Sequence, residues 1–147
     1  MAINPLTMKI DNLLLDNLTA QAKASPRLRM NYDLRNSEAD SSQRMLNAIE
    51  PGSVVPVHRH RSTSETLVVL RGRVVEEFYD DAGALTESIT LEAGGPTCAM
   101  NIPAGQWHTL RSLESGTVIL EMKDGAYEPI SPADVMDVFK RESLQGK

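Results

Sequence analysis

The stretch from Gly52 to Gly72 constrains this chain more than any other part of it, because it sets two histidines and a glutamate at fixed steps between glycines. His58 and His60 lie two apart. In an extended strand alternate side chains share a face, so both imidazoles project the same way, with Cα atoms about 6–7 Å apart. The polar run Arg61-Ser62-Thr63-Ser64 suits a turn, and Glu65 opens the apolar run Leu67–Leu70, which reads as the next strand. A hairpin would return Glu65 beside His60. The third and last histidine of the 147 residues, His108, follows the turn signal Pro103-Ala104-Gly105 and can close the same site from a strand distant in sequence. Three imidazoles and one carboxylate form a chelate for one divalent first-row ion, with Zn, Fe, Mn and Ni all eligible and positions left for water or a ligand. A lone histidine is usually an ordinary polar residue, but this chain spends none elsewhere.

The rest of the pattern is that of short strands between two helices. Ile10, Leu13, Leu14, Leu18 and Ala22 recur at steps of three and four, with Asp11 or Asn12 as cap, which predicts an amphipathic helix over 12–24 ending before Pro26. Strands are expected at 43–49, 54–60, 66–71, 74–79, 86–91, 97–102, 108–112 and 117–122. Turns fall at Pro51-Gly52, Arg71-Gly72, Asp80–Gly83, Gly94-Gly95 and Glu114–Gly116. Eight short strands at this spacing suit an all-β jelly roll, a double-stranded β-helix. Ser131, Pro132 and Asp134 supply a cap, a first-turn proline and a first-turn acid for a second helix over about 132–142. The expected plan is one domain, with a helical extension at about 10–25, a barrel at about 40–125 and both helices packed outside it.

Composition narrows the partners. A net charge of −5 and a pI near 5.2 lack the positive field that nucleic acid requires, so none is expected as a partner. No apolar run approaches the ~20 residues of a membrane span. The amino terminus lacks the basic then apolar pattern of a signal peptide, and the single Cys98 cannot form an internal disulfide, so the expected compartment is the cytoplasm. Cys98 itself reads as a small buried hydrophobe in a strand.

Gly52-x5-His58-x-His60-x4-Glu65-x6-Gly72 and Pro103-x-Gly105-x2-His108 resemble the two motifs of the cupin superfamily. The first matches at every anchor. The second departs at Thr97, where a glycine is expected, and at Ser112, where an asparagine is expected; neither is a ligand position. The resemblance implies a cupin barrel with His58, His60, Glu65 and His108 as metal ligands. A narrower likeness, over about residues 10–130, is to the WbuC family of cupin fold metalloproteins. It rests on Ser25-Pro26-Arg27-Leu-Arg29-Met-Asn31-Tyr32, on Gln43-Arg44-Met45-Leu46, on both metal motifs and on Lys123-Asp124-Gly125-Ala-Tyr127. That family takes its name from bacterial surface-polysaccharide gene clusters, which implies a carbohydrate-related role without an assigned reaction.

Groups that would orient a small-molecule ligand beside the ion are fewer. Arg27, Arg29 and Asn31 lie where the chain could cross the barrel mouth, and arginine forks bind carboxylate or phosphate in two-point fashion; the alternative is that they are solvated or paired with acids. Glu121 and Lys123 share one face of the last strand, opposite Val118, Leu120 and Met122, and either face can be the interior. Trp107 should point away from His108, under a terminal helix or at the contact of a homodimer. Arg59 should face outward. Two function classes follow. One is an enzyme, an isomerase, epimerase or dioxygenase-like protein whose ion acts on a small polar or carbohydrate-related metabolite; the other is a non-catalytic metal-dependent module that binds a sugar or carboxylate.

Overall fold

In a computed structural model, which describes residues 7–136, the chain forms one helix and eight strands. Helix α1 spans Asn12–Ala24; the Asp11 carboxylate caps it by accepting from the Leu14 N–H at 3.1 Å. It stops at Ser25, whose backbone is extended because Pro26 disfavours the helical conformation in the residue before it. Then come β1 (Arg29–Asp33), β2 (Ser42–Ile49), β3 (Glu65–Arg71), β4 (Arg73–Tyr79), β5 (Leu85–Glu92), β6 (Ala99–Ile102), β7 (Trp107–Ser112) and β8 (Val118–Asp124). They build two antiparallel sheets, ordered β1-β2-β8-β3-β6 and β5-β4-β7, that face each other as a jelly-roll barrel.

Register decides what each face holds. Cross-strand partners share a face, so the pairs Glu65–Lys123, Leu67–Glu121 and Val69–Ile119 place all six side chains on one side of the larger sheet. The same side carries Gln43, Met45 and Asn47 of β2, and Arg29, Asn31 and Asp33 of β1. This is the inner face, because Ile49, Leu67, Val69 and Ile119 pack there against Val74, Leu91, Ile102 and Leu110. The outer face offers Leu46, Ala48 and Val118, which α1 covers with Leu15, Leu18 and Ala22. Burial of each of these leucines stabilises by at most about 1.5–3 kcal/mol.

The β3–β4 connection needs a glycine for two reasons. Gly72 has φ +80°, and a Cβ there would lie 2.2 Å from Thr117 Oγ1 and 2.8 Å from the Thr117 backbone.

Five expectations need correction. Residues 54–60 are not a regular strand: Pro56 cannot donate to a ladder, and only His58 forms bridges. Conversely Arg29–Asp33, expected to cross the barrel mouth and not among the expected strands, forms strand β1. On α1 the buried stripe is Leu15, Leu18, Thr19 and Ala22, while Leu13 is 70% exposed and Ile10 is 43% exposed. The second helix starts only as a 3-10 turn at Pro132–Asp134, after which Val135 is extended; residues 137–142 of that expectation lie outside the described residues. Cys98 is exposed, not buried, because it sits just before β6 and not within it.

Candidate metal centre

The three histidines converge from segments that reach the same end of the barrel. Although 54–60 is irregular, its backbone is held on two sides. His58 exchanges both backbone hydrogen bonds with His108, at 3.0 and 2.9 Å. On its other side the terminal segment adds bonds from Met136 N–H to the Val57 carbonyl and from Arg59 N–H to the Asp134 carbonyl. The His60 carbonyl accepts from Gly105 N–H at 2.7 Å, which ties the Pro-x-Gly turn to the histidine pair. One potential donor nitrogen from each ring lies within 4.8 Å of the others. Ring centroids are 5.1 Å apart for His58 and His60 and 4.6 Å for His58 and His108.

Glu65 completes the ring of donors from the start of β3. Its Oε2 is 3.4 Å from His60 Nε2 and 3.8 Å from His108 Nε2, and this buried oxygen accepts no hydrogen bond from any described residue. Burial opposes its charge, yet the close approach of the His60 ring and the positive fields of His108 and Lys123 hold the carboxyl down at about 2. Burial, assisted by the neighbouring His108 charge, lowers His58 to about 4. Burial likewise lowers His108 to about 4, against the pull of Glu65. At neutral pH Glu65 is therefore ionised and His58 and His108 are neutral, the protonation state in which such groups bind a cation.

Two further groups orient the rings. His58 Nδ1 donates to the Pro56 carbonyl at 2.8 Å, leaving Nε2 with a lone pair. His108 Nδ1 lies 2.6 Å from Oε1 of Glu76, a carboxyl with 0% exposure that burial, then the Glu65 charge, push up to about 9. One proton is shared between that carboxyl and the imidazole; an ion at Nε2 would fix it on Nδ1. The sequence motifs did not include Glu76. Its signal was there, as an acid at the inner position between Val74 and Phe78 of an otherwise apolar alternation.

These residues fit a divalent cation. The buried Oε2 without a partner is the decisive atom, since an orphaned buried carboxylate oxygen costs free energy that a bound cation would restore.

Beside His60 opens a cleft of about 400 Å³, walled on one side by residues 125–131 and lined elsewhere by Gln43, Ser62, Thr63 and Lys123. Asp134 pins the terminal segment across it, accepting from Arg59 Nε at 3.0 Å and Arg61 Nε at 2.7 Å. Arg59 also lies over the Trp107 ring, 4.4 Å from its centroid. Trp107 faces away from His108, as the strand alternation predicts, and packs with Val57 and Met136.

Of the expected ligand-orienting residues, Lys123 lines this cleft, and Arg27, Arg29 and Asn31 do not. Arg27 is exposed. Arg29 donates to the Val54 carbonyl at 2.6 Å, and Asn31 is an exposed inner-face residue of the edge strand β1. Glu121 sits on the inner face next to Glu65. Burial, then the Glu65 charge, push its carboxyl up to about 8, against the field of Lys123.

The family described as Domain of unknown function (DUF6016) matches residues 10–91 of this chain. No curated protein matches it. Among solved structures, KdgF from Halomonas sp. is similar at TM-score 0.56 and 14% identity, over 70% of this chain and 84% of that one. The capsular polysaccharide assembling protein CapF from Staphylococcus aureus is similar at TM-score 0.59 and 21% identity, over 76% of this chain but only 32% of CapF. A mutant of Bacillus subtilis oxalate decarboxylase OxdC is similar at TM-score 0.54 and 18% identity, over 67% of this chain and 26% of that one. The chain thus spans about a third or less of the latter two proteins. At these identities the likeness concerns the fold, the cupin jelly roll.

Proposed function

The chain belongs to the family described as Domain of unknown function (DUF6016) and folds as a cupin, and from that premise we propose that His58, His60, Glu65 and His108 hold one divalent first-row ion. The observation that carries the reading is Glu65 Oε2, buried without a hydrogen bond among three converging imidazoles. When bound, the ion would act as a Lewis acid on an oxygen of the ligand. Zinc, iron, manganese and nickel are all served by this donor set.

The protein binds, and transforms, a small polar or carbohydrate-related metabolite in the cleft beside His60. Glu121 favours an enzyme over a binding module: its carboxyl, pushed up to about 8, holds a proton near neutral pH on the inner face beside Glu65, where it can give or take one in isomerisation or epimerisation. Glu76 keeps the His108 ring in place and Pro56 the His58 ring. A surface-polysaccharide setting is supported by the WbuC-like residues around Ser25–Tyr32 and Lys123–Tyr127, and by the likeness of the fold to CapF, a capsular polysaccharide assembling protein. Oxalate decarboxylase, by its name, acts on a small carboxylate, which supports a ligand of that size. The exposed free thiol of Cys98 agrees with a cytoplasmic location, and no helix among the described residues is long and apolar enough to cross a membrane. A homodimer completes the proposal.

Elemental analysis of the purified protein tests the core of it. Close to one equivalent of a first-row metal is expected, lost on replacing His58 or His108 by alanine; a protein without metal even after incubation with zinc, iron, manganese and nickel salts would end the reading.

A further inference from the structure

The inner face of β8 ends in a cation, Lys123, that forms no ion pair among the described residues. Lys123 is in register with Glu65 on β3 and Gln43 on β2, so the three side chains leave the sheet together toward the cleft. Lys123 is only partly exposed, yet among the described residues its ammonium makes neither a hydrogen bond nor an ion pair. The other two cations of the cleft are occupied, since Arg59 and Arg61 both serve Asp134. An ammonium drawn partly out of water, facing ionised Glu65 but in no ion pair with it, costs free energy that a bound anion would recover. The lining around it is hydroxyl and amide, from Ser62, Thr63 and Gln43, and the 400 Å³ volume is in the lower part of the range for small-molecule pockets.

Resting on the metal reading above, we propose that the ligand of this cleft is a hydroxylated carboxylate, such as a sugar acid, whose carboxylate pairs with Lys123 while its hydroxyls meet the polar lining and its other end reaches the His60 side of the metal centre. A singly charged anion is favoured over a phosphate. One ammonium is without an ion pair, Arg59 and Arg61 already give their Nε to Asp134, and Glu128 and Asp134 in the lining, with ionised Glu65 beside Lys123, repel a dianion.

Zinc content is measured first, in the wild type and in Lys123→Met and Lys123→Gln, followed by calorimetric titration of the zinc-loaded proteins with gluconate, sorbitol and glucose 6-phosphate. The wild type should bind gluconate at least about tenfold more tightly than sorbitol, which differs from it by the carboxylate, and more tightly than glucose 6-phosphate. Both variants should keep zinc and melting temperature and lose that preference. If Met prevents folding, Gln, which retains a polar head, carries the comparison. Variants that bind gluconate as the wild type does, a wild type that prefers sorbitol or the phosphate, or one that takes zinc and binds no gluconate would each overturn the inference. A wild type that takes up no zinc overturns the metal reading instead.

Discussion

The two ends of the inner face of the larger sheet are made by the same strands and differ in everything else. Two residues at a time, β8 runs from Ile119 through Glu121 to Lys123, β3 from Val69 through Leu67 to Glu65, and β2 from Ile49 through Asn47 and Met45 to Gln43. At one end these side chains join the apolar cluster with Val74, Leu91 and Leu110, where Ile119 and Leu67 are 0% exposed. At the other they meet three histidines and a polar cleft. One sheet face thus serves as core and as site, and the rigid apolar end fixes where the polar end points. Preorganisation of this kind needs no separate scaffold.

That contrast can be broken from either end. The largest effect should come from His58→Ala at the polar end, which removes a donor with little loss of core: metal content by elemental analysis should fall to under about a tenth of wild type. At the apolar end, Ile119→Ala should cost about 2–5 kcal/mol in urea unfolding while the folded variant still binds metal stoichiometrically. Loss of metal from Ile119→Ala at native conditions would mean that the two ends are not separable. A smaller change is expected from Glu76→Gln, which leaves all four donors but weakens the orientation of His108; metal affinity by competition titration should drop about 10–100-fold.

The smallest effect concerns pH. The Glu121 carboxyl has its folded value raised from 4.5 to about 8, so the folded protein keeps a proton that the unfolded chain releases. Its contribution to stability is fully present below pH 4.5 and is lost as pH rises through about 8. In the metal-free protein, Glu121→Gln should therefore flatten the decline in stability between those limits, as read from urea midpoints at several pH values. An unchanged slope would place the Glu121 carboxyl in a more aqueous setting than its neighbours imply.

Much of this was legible in the sequence, for reasons that differ by element. The bounds of α1 at residues 12–24 follow from a capping acid at one end and Pro26 at the other, both local effects. The convergence of His58, His60, Glu65 and His108 was legible because strand alternation and turn spacing set it. The buried face of α1 includes Leu15 in place of Leu13, two positions on, since four adjacent apolar or amide residues offer two stripes and only the partner sheet selects one. Strand β1 has the alternation of a strand in Arg29, Met30, Asn31, Tyr32 and Asp33, with Met30 partly buried against the α1 cluster, but its polar inner residues equally suit ligand binding, so the pattern alone does not decide. Segment 54–60 failed the opposite way, apolar enough for a strand but carrying Pro56. The alternation of β4 marks Glu76 as an inner acid, but its pairing with His108, like that of Asp134 with Arg59 and Arg61, depends on contacts remote in sequence that no local pattern encodes.

The bridge between Val135 and His58 has a consequence for the order of assembly. Pairing segments so far apart in the chain requires closing a long loop, an entropic cost that delays such contacts relative to hairpins like β4–β5. His58 meets His108 by a shorter closure, so the imidazoles can gather before the tail docks. The histidine end would then be complete while the outer wall of the cleft is still open, so that the three imidazoles gather first and the cleft is shaped around them afterwards.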